Sequence, residues 1–168
     1  LGGAEGSALI HRFAAIMTFG YFFFHVYSMI TKKKTRKTNM KDFVFGKDSM
    51  MFKLQDLKDF GATIKWFMGM GPRPNYGKWT YWEKFDFMAV FWGIAVIGSS
   101  GLALWFSVAF STILPGWGLN IATIIHSDEA LLAAGFIFTI HFYNTHLRPD
   151  KFPLDPVIFV GSITVDEL

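Results

Sequence analysis

Apolar residues gather in three long stretches along this chain, at residues 8–30, 85–110 and 119–143. About 20 consecutive apolar residues cross a bilayer as a helix, so each stretch predicts a membrane-spanning helix. Between the first two, at 48–70, the pattern changes. Met51, Leu54, Leu57, Ile64 and Phe67 recur near helical spacing, with Lys53, Asp56, Asp59 and Lys65 among them. That alternation predicts an amphipathic helix lying at a membrane surface, or else a face on which a soluble partner docks. The expected fold class is all-α integral membrane: a bundle of three transmembrane helices plus one interfacial amphipathic helix, in a single domain over residues 1–168.

Charge orients these elements. Of 16 Lys and Arg residues, all but Arg12, Arg148 and Lys151 lie within 31–84. The run TKKKTRK directly follows the first stretch. Positive charge marks the cytoplasmic side, so 31–84 is expected on the cytoplasmic side of the membrane that the spans cross. The turn LPGWG then lies outside. Trp79, Tyr81 and Trp82 fall at the inner interface, and Trp105 and Trp117 at the outer one, as an aromatic belt would. Basic clustering beside spans is in the first place an orientation signal, binding of anionic lipid being the alternative that adds a further role, and no nucleic-acid partner is expected.

Composition agrees: 52% of the residues are hydrophobic and 20 are Phe. There is no cysteine, which excludes disulfides, cysteine-held iron–sulfur clusters and CxxCH haem attachment within this stretch. The chain opens on Leu1 and both ends break off without a structural stop. The expectation is part of a longer chain or complex.

Four histidines lie within the apolar stretches in two matched pairs, His11 with His25 and His126 with His141. An ionisable side chain inside a membrane is costly and marks function. A helix rises 1.5 Å and turns 100° per residue, so His11 and His25 are about 21 Å apart along the axis and about 40° apart around it. For His126 and His141 the values are about 22 Å and 60°. Spans one and three run in the same direction. His11 therefore levels with His126, and His25 with His141. Imidazole is an axial ligand for haem iron, and two per iron suit electron transfer. Two haem b groups are expected, one between His11 and His126 and one between His25 and His141. Small residues Ala14, Ala15, Thr18, Gly20, Ala130, Ala133, Ala134 and Gly135 would leave room for flat macrocycles or for close helix packing. Arg12 and Arg148 are candidate propionate partners or snorkelling interfacial arginines. His146, about 140° round from His141 on an ideal helix, reads as a surface or quinone-pocket residue and not a ligand.

Asp128 and Glu129 follow His126. A carboxylate beside an electron acceptor can take the proton that quinol releases. The competing reading is a pair of helix N-terminal acids favourable to the macrodipole. Glu83 and Asp86 open the second stretch, where Lys84 is expected to satisfy them.

The stretches GPRPNYGKWTYWEKFDFMAVFWG, LPGW and HSDEALLAAGFIFTIHFYNTHLRPDKFPLD resemble bacterial membrane cytochromes b. These are related to the gamma subunit of formate dehydrogenase and to hydrogenase b-type cytochromes. Most similar is the branch found with, or fused to, periplasmic multihaem cytochromes c. The resemblance covers nearly the whole chain and is most specific over 126–153. It implies a four-helix-like haem bundle, two b haems and exchange with a quinone pool, usually menaquinone, with ubiquinone the other choice. It carries ligand roles onto His126 and His141, and onto His11 and His25. The chain departs from the formate dehydrogenase pattern in placing both partner ligands on one helix, more like the cytochrome b of bc-type complexes. With three spans visible, a fourth is expected beyond an end or in another subunit. The expected function is electron transfer between the quinone pool and a partner redox protein such as a multihaem cytochrome c, as a subunit of a quinol/quinone oxidoreductase. The alternatives are a relay or anchor that binds no quinone, and a proton or metal transporter.

Overall fold

The computed structural model describes residues 2–35, 39–46, 49–149 and 152–161, with side chains at all of these except 33–35 and 40. Among them there are helices and no strands. The chain divides into two compact units, Leu1–Gly98 and Ser99–Leu168. The rest of the basic run (36–38) and Lys151 lie outside the described residues.

In the first unit, α1 spans Gly3–Thr35. It continues past the predicted stretch into the basic run because lysine is a good helix former and no Gly or Pro intervenes. A short helix α2, Met40–Phe45, follows. The amphipathic segment is a helix, α3, over Leu54–Phe67, shorter than its apolar pattern. Its start is fixed by the Asp56 carboxylate, which accepts the Lys53 amide at 2.6 Å and so satisfies a donor the helix cannot. Its end is set by Gly69 in the left-handed region (φ 72°), where the amide of Met70 donates back to the Lys65 carbonyl at 2.8 Å. Helix α4, Tyr81–Gly93, opens on a capping box. The Thr80 amide donates to Glu83 at 2.8 Å, and the Glu83 amide returns to the Thr80 hydroxyl at 3.3 Å. A π-helical turn, Ile94–Gly98, carries the helix onward.

The second unit begins with α5, Ser99–Trp105, and α6, Ser107–Phe110. Pro115 then precedes α7, Gly116–Phe136. Two π-helical turns, Ile137–His141 and Tyr143–Leu147, prolong it. It stops at Arg148, whose extended backbone (ψ 140°) is what a residue before proline adopts. A last turn, α8, covers Val157–Val160.

Three continuous helices are long and apolar enough to cross a membrane: Gly3–Lys32, Tyr81–Trp105 and Gly116–Leu147. They overlap the three predicted stretches, the second ending at Trp105 rather than at 110 because the helix is interrupted at Phe106. Among the described residues the buried apolar side chains are Ala103 and Ala122, while Tyr21, Val108 and Leu131 are exposed by 75%, 83% and 75%. A water-soluble fold would bury such residues. Here the apolar side chains point outward and small or polar ones point in.

Within the first unit α1 and α4 pack antiparallel. Phe22 meets Phe91 edge-on at 5.4 Å between centroids, and His25 meets Phe87 at 6.0 Å. Gly98 lies against Phe19, where a Cβ would come 3.0 Å from the ring. Numbers rise along α1 as they fall along its neighbour, as expected for consecutive spans.

Candidate functional site

Three of the four candidate ligands have described surroundings. His25, half-buried on α1, is held by the edge of Phe87. His126, half-buried on α7, sits against α5. Its Nδ1 lies 3.2 Å from the hydroxyl of Ser100. Its Cε1 lies so close to Gly101 that a Cβ there would approach to 2.8 Å. His141, also half-buried, lies against the ring of Phe142 at 6.2 Å. His11 and Arg12 are exposed on α1. His11 and His126 each lie roughly two to three turns inside the start of their helices. The expected pairs His11–His126 and His25–His141 each draw one histidine from the first unit and one from the second.

The π turn at Ile137–His141 changes the azimuths expected from an ideal helix. Its hydrogen bonds close one residue further on than in an α turn. Each step there rotates less than 100°, so His141 falls back from its ~60° offset towards the face of His126. The second π turn acts likewise on His146 and shrinks its ~140° offset from His141. His146 is half-buried, edge-on to Phe142 at 6.0 Å, and its Nδ1 is buried without a hydrogen-bond partner among the described residues. The surface reading of His146 is thus corrected, because wider turns bring it inward. Such π turns recur at functional sites.

Asp128 is exposed and Glu129 half-buried. Helix α7 starts at Gly116, which places both acids roughly three turns inside it. They are not N-terminal acids, and the macrodipole reading is withdrawn. Arg148 is half-buried just past the second π turn. The expectation for Lys84 is corrected too. It leaves Glu83 to cap Thr80 and pairs with Asp56 of α3 at 2.6 Å, both side chains buried.

Ser100 and Gly101 escaped the sequence reading. Their signal was the cluster Gly98-Ser99-Ser100-Gly101 inside an apolar run, the pattern that lets helices approach closely. Among the described residues nothing comes within 4 Å of where a Cβ would stand at Gly20 or Gly135. Close packing is the work of Gly98 and Gly101 instead.

Of the candidate ligands, His126 has the setting that an iron-bound imidazole would need. Metal-ligating imidazoles have one nitrogen fixed by a hydrogen-bonding neighbour, which sets tautomer and orientation, and Ser100 does this at Nδ1 of His126. A ligand role there would fall to Nε2. Among the described residues no group of three or more His, Cys, Asp or Glu stands together to hold a bare metal ion. The sequence matches no family model, and comparison with curated proteins and with solved structures finds no match, so the functional reading rests on these residues themselves.

Proposed function

We propose that this chain is a di-haem b-type membrane cytochrome that moves electrons between a quinone pool and a partner redox protein. The observation that carries the reading is the placement of four imidazoles, two by two, on two helices of membrane-crossing length. His11 with His126, and His25 with His141, would hold the irons. Haem so ligated supplies one-electron transfer with no open iron position.

The rest is done by the chain's own side chains. Ser100 and Gly101 fix the ring of His126, and Phe87 limits the swing of His25. Arg12 and Arg148 offer cations for propionates. Glu129, inside an apolar helix and three residues from His126, is the proton acceptor for menaquinol or ubiquinol, with Asp128 beside it. The basic segment 31–84 faces the cytoplasm of a bacterial inner membrane, and the chain exchanges electrons with a multihaem cytochrome c or another redox subunit.

The test is a reduced-minus-oxidised absorption spectrum of the purified chain and of four variants. The reading expects b-type bands from two haems. His25→Ala and His141→Ala should remove one haem, and His11→Ala and His126→Ala the other. A chain without such bands would end the proposal, and a common loss for His25→Ala and His126→Ala would end the pairing. Glu129→Gln should slow reduction by quinol with both haems retained. Unchanged kinetics would leave a relay that binds no quinone.

A further inference from the structure

Helix α3 is turned the wrong way for a helix of a soluble domain. Asp56 and Thr63 are its buried residues, while Leu54, Leu57 and Phe67 are exposed by 79%, 69% and 77%. The buried side is held by polar contacts: Asp56 to Lys84, and the Thr63 hydroxyl to the Tyr76 hydroxyl at 2.7 Å. Phe60 touches Tyr81 edge-on at 5.6 Å. Tyr81 and Lys84 belong to the first turn of α4, so α3 is fastened at the foot of a membrane-length helix, beside Trp79 and Trp82.

At 100° per residue the helix resolves into four sides. Asp56 and Thr63 mark the side towards the protein. Phe67, Phe60, Ile64, Leu57 and Leu54 fill an arc of about 140° centred roughly 100° away from it. Lys58 and Lys65 sit at the far rim of that arc, on the side away from the protein, both exposed. Gln55 and Asp59, joined at 2.8 Å, lie across the helix from the apolar arc. A helix at a membrane surface beside a bundle needs these four neighbours: protein on one flank, acyl chains below, water above and headgroups at the outer rim.

We propose that α3 is a lipid-binding helix. Its apolar arc enters the membrane interface, and Lys58 and Lys65 bind the phosphates of anionic lipids. The occupant follows from charge and position. Two ammonium groups flank the arc on the side away from the protein, and the arc begins where the apolar surface of α4 begins. The proposal rests on the membrane reading of the long helices but not on haem.

The chain has no cysteine, so nitroxides can be attached singly in the full chain at Leu57→Cys, Ile64→Cys, Gln55→Cys and, as a reference on α1, Ile16→Cys. Collision with lipid-soluble oxygen is compared with collision with a water-soluble nickel chelate, in phosphatidylglycerol and in phosphatidylcholine nanodiscs. The oxygen-to-nickel ratio should be several-fold higher at 57 and 64 than at 55. Replacing both Lys58 and Lys65 by Gln should lower it at 57 and 64 in phosphatidylglycerol and leave it unchanged in phosphatidylcholine. Ratios at 57 and 64 equal to that at 55, with Ile16 still lipid-exposed, would overturn the proposal while sparing the membrane reading. A water-exposed Ile16 would overturn both. Labels at 57 and 64 shielded from both reagents would put a protein on this face and overturn the lipid assignment. No effect of the lysine pair would overturn the anionic-lipid assignment.

Discussion

The contact of α3 with α4 and the contact of α5 with α7 solve one problem by different means. In both, large apolar side chains face outward, so burying them cannot hold the helices together. Helices in that situation associate through polar partners and through close approach at small residues. The α3–α4 contact takes the first route, with a buried ion pair at 2.6 Å and a hydroxyl pair at 2.7 Å. The α5–α7 contact takes the second, with buried Ala103 and Ala122, an imidazole lodged against Gly101, and a hydrogen bond between Ser100 and His126. The first contact should therefore answer to charge and the second to volume.

The largest effect is expected at the ion pair. Asp56→Ala or Lys84→Ala leaves one buried charge uncompensated, at about 3–5 kcal/mol. Asp56→Ala also strips the Lys53 amide of its acceptor. Thermal unfolding in detergent should show the loss, with faster proteolysis between α1 and α4. The double change Asp56→Leu with Lys84→Met should recover the part due to the uncompensated charge, leaving the smaller loss of the acceptor for the Lys53 amide. Single variants as stable as the parent would break the comparison.

Gly101→Val should come next. Its side chain would occupy the place of the His126 ring, and overpacking of this kind costs about 1–3 kcal/mol. Gly135→Ala, where a Cβ meets nothing within 4 Å among the described residues, should leave stability nearly unchanged. Under the proposed function Gly101→Val should also lower the content of the haem that depends on His126, as measured by its absorption. Equal behaviour of the two glycine variants would remove volume as the organising feature of α5–α7.

The three long helices were legible in the sequence because a bilayer demands a long apolar run, and such a run stands out against any background. The helix α3 was legible because apolar residues recurred at helical spacing among polar ones. What the pattern withheld was pairing. The sequence reading gave Lys84 to Glu83 and Asp86, its neighbours along the chain, but Thr80 claims Glu83 and Asp56 lies 28 positions earlier. Capping chemistry is local, and the ion pair depends on where a loop returns. The π turns were equally silent. No Gly or Pro marks 137–147, so an even rotation of 100° was the natural assumption, and it misplaced His146. The histidines were visible as a spaced set. The hydroxyl beside one of them was visible only as a small residue.

Ser100→Ala should give the smallest effect and sharpens the comparison most, because it tests a polar element in the contact that volume dominates. The side chain is buried, and its loss removes one neutral hydrogen bond, about 0.5–1.5 kcal/mol. Stability should fall by no more than that, well below the ion-pair variants. The more telling readout is the ring it holds. A hydroxyl at Nδ1 fixes which nitrogen of His126 is presented and how basic it is. Under the proposed function, Ser100→Ala should keep both haems and shift the midpoint of one, on the order of tens of millivolts, where about 59 mV is tenfold for one electron. Ser100→Thr, which keeps the hydroxyl, should restore the parent midpoint. A redox titration followed by absorption separates these cases. If alanine and threonine shift the midpoint alike, the effect belongs to shape and α5–α7 is governed by volume alone. If neither moves it while stability falls, the hydrogen bond only joins helices, and His126 needs a different orienting partner to serve as a ligand.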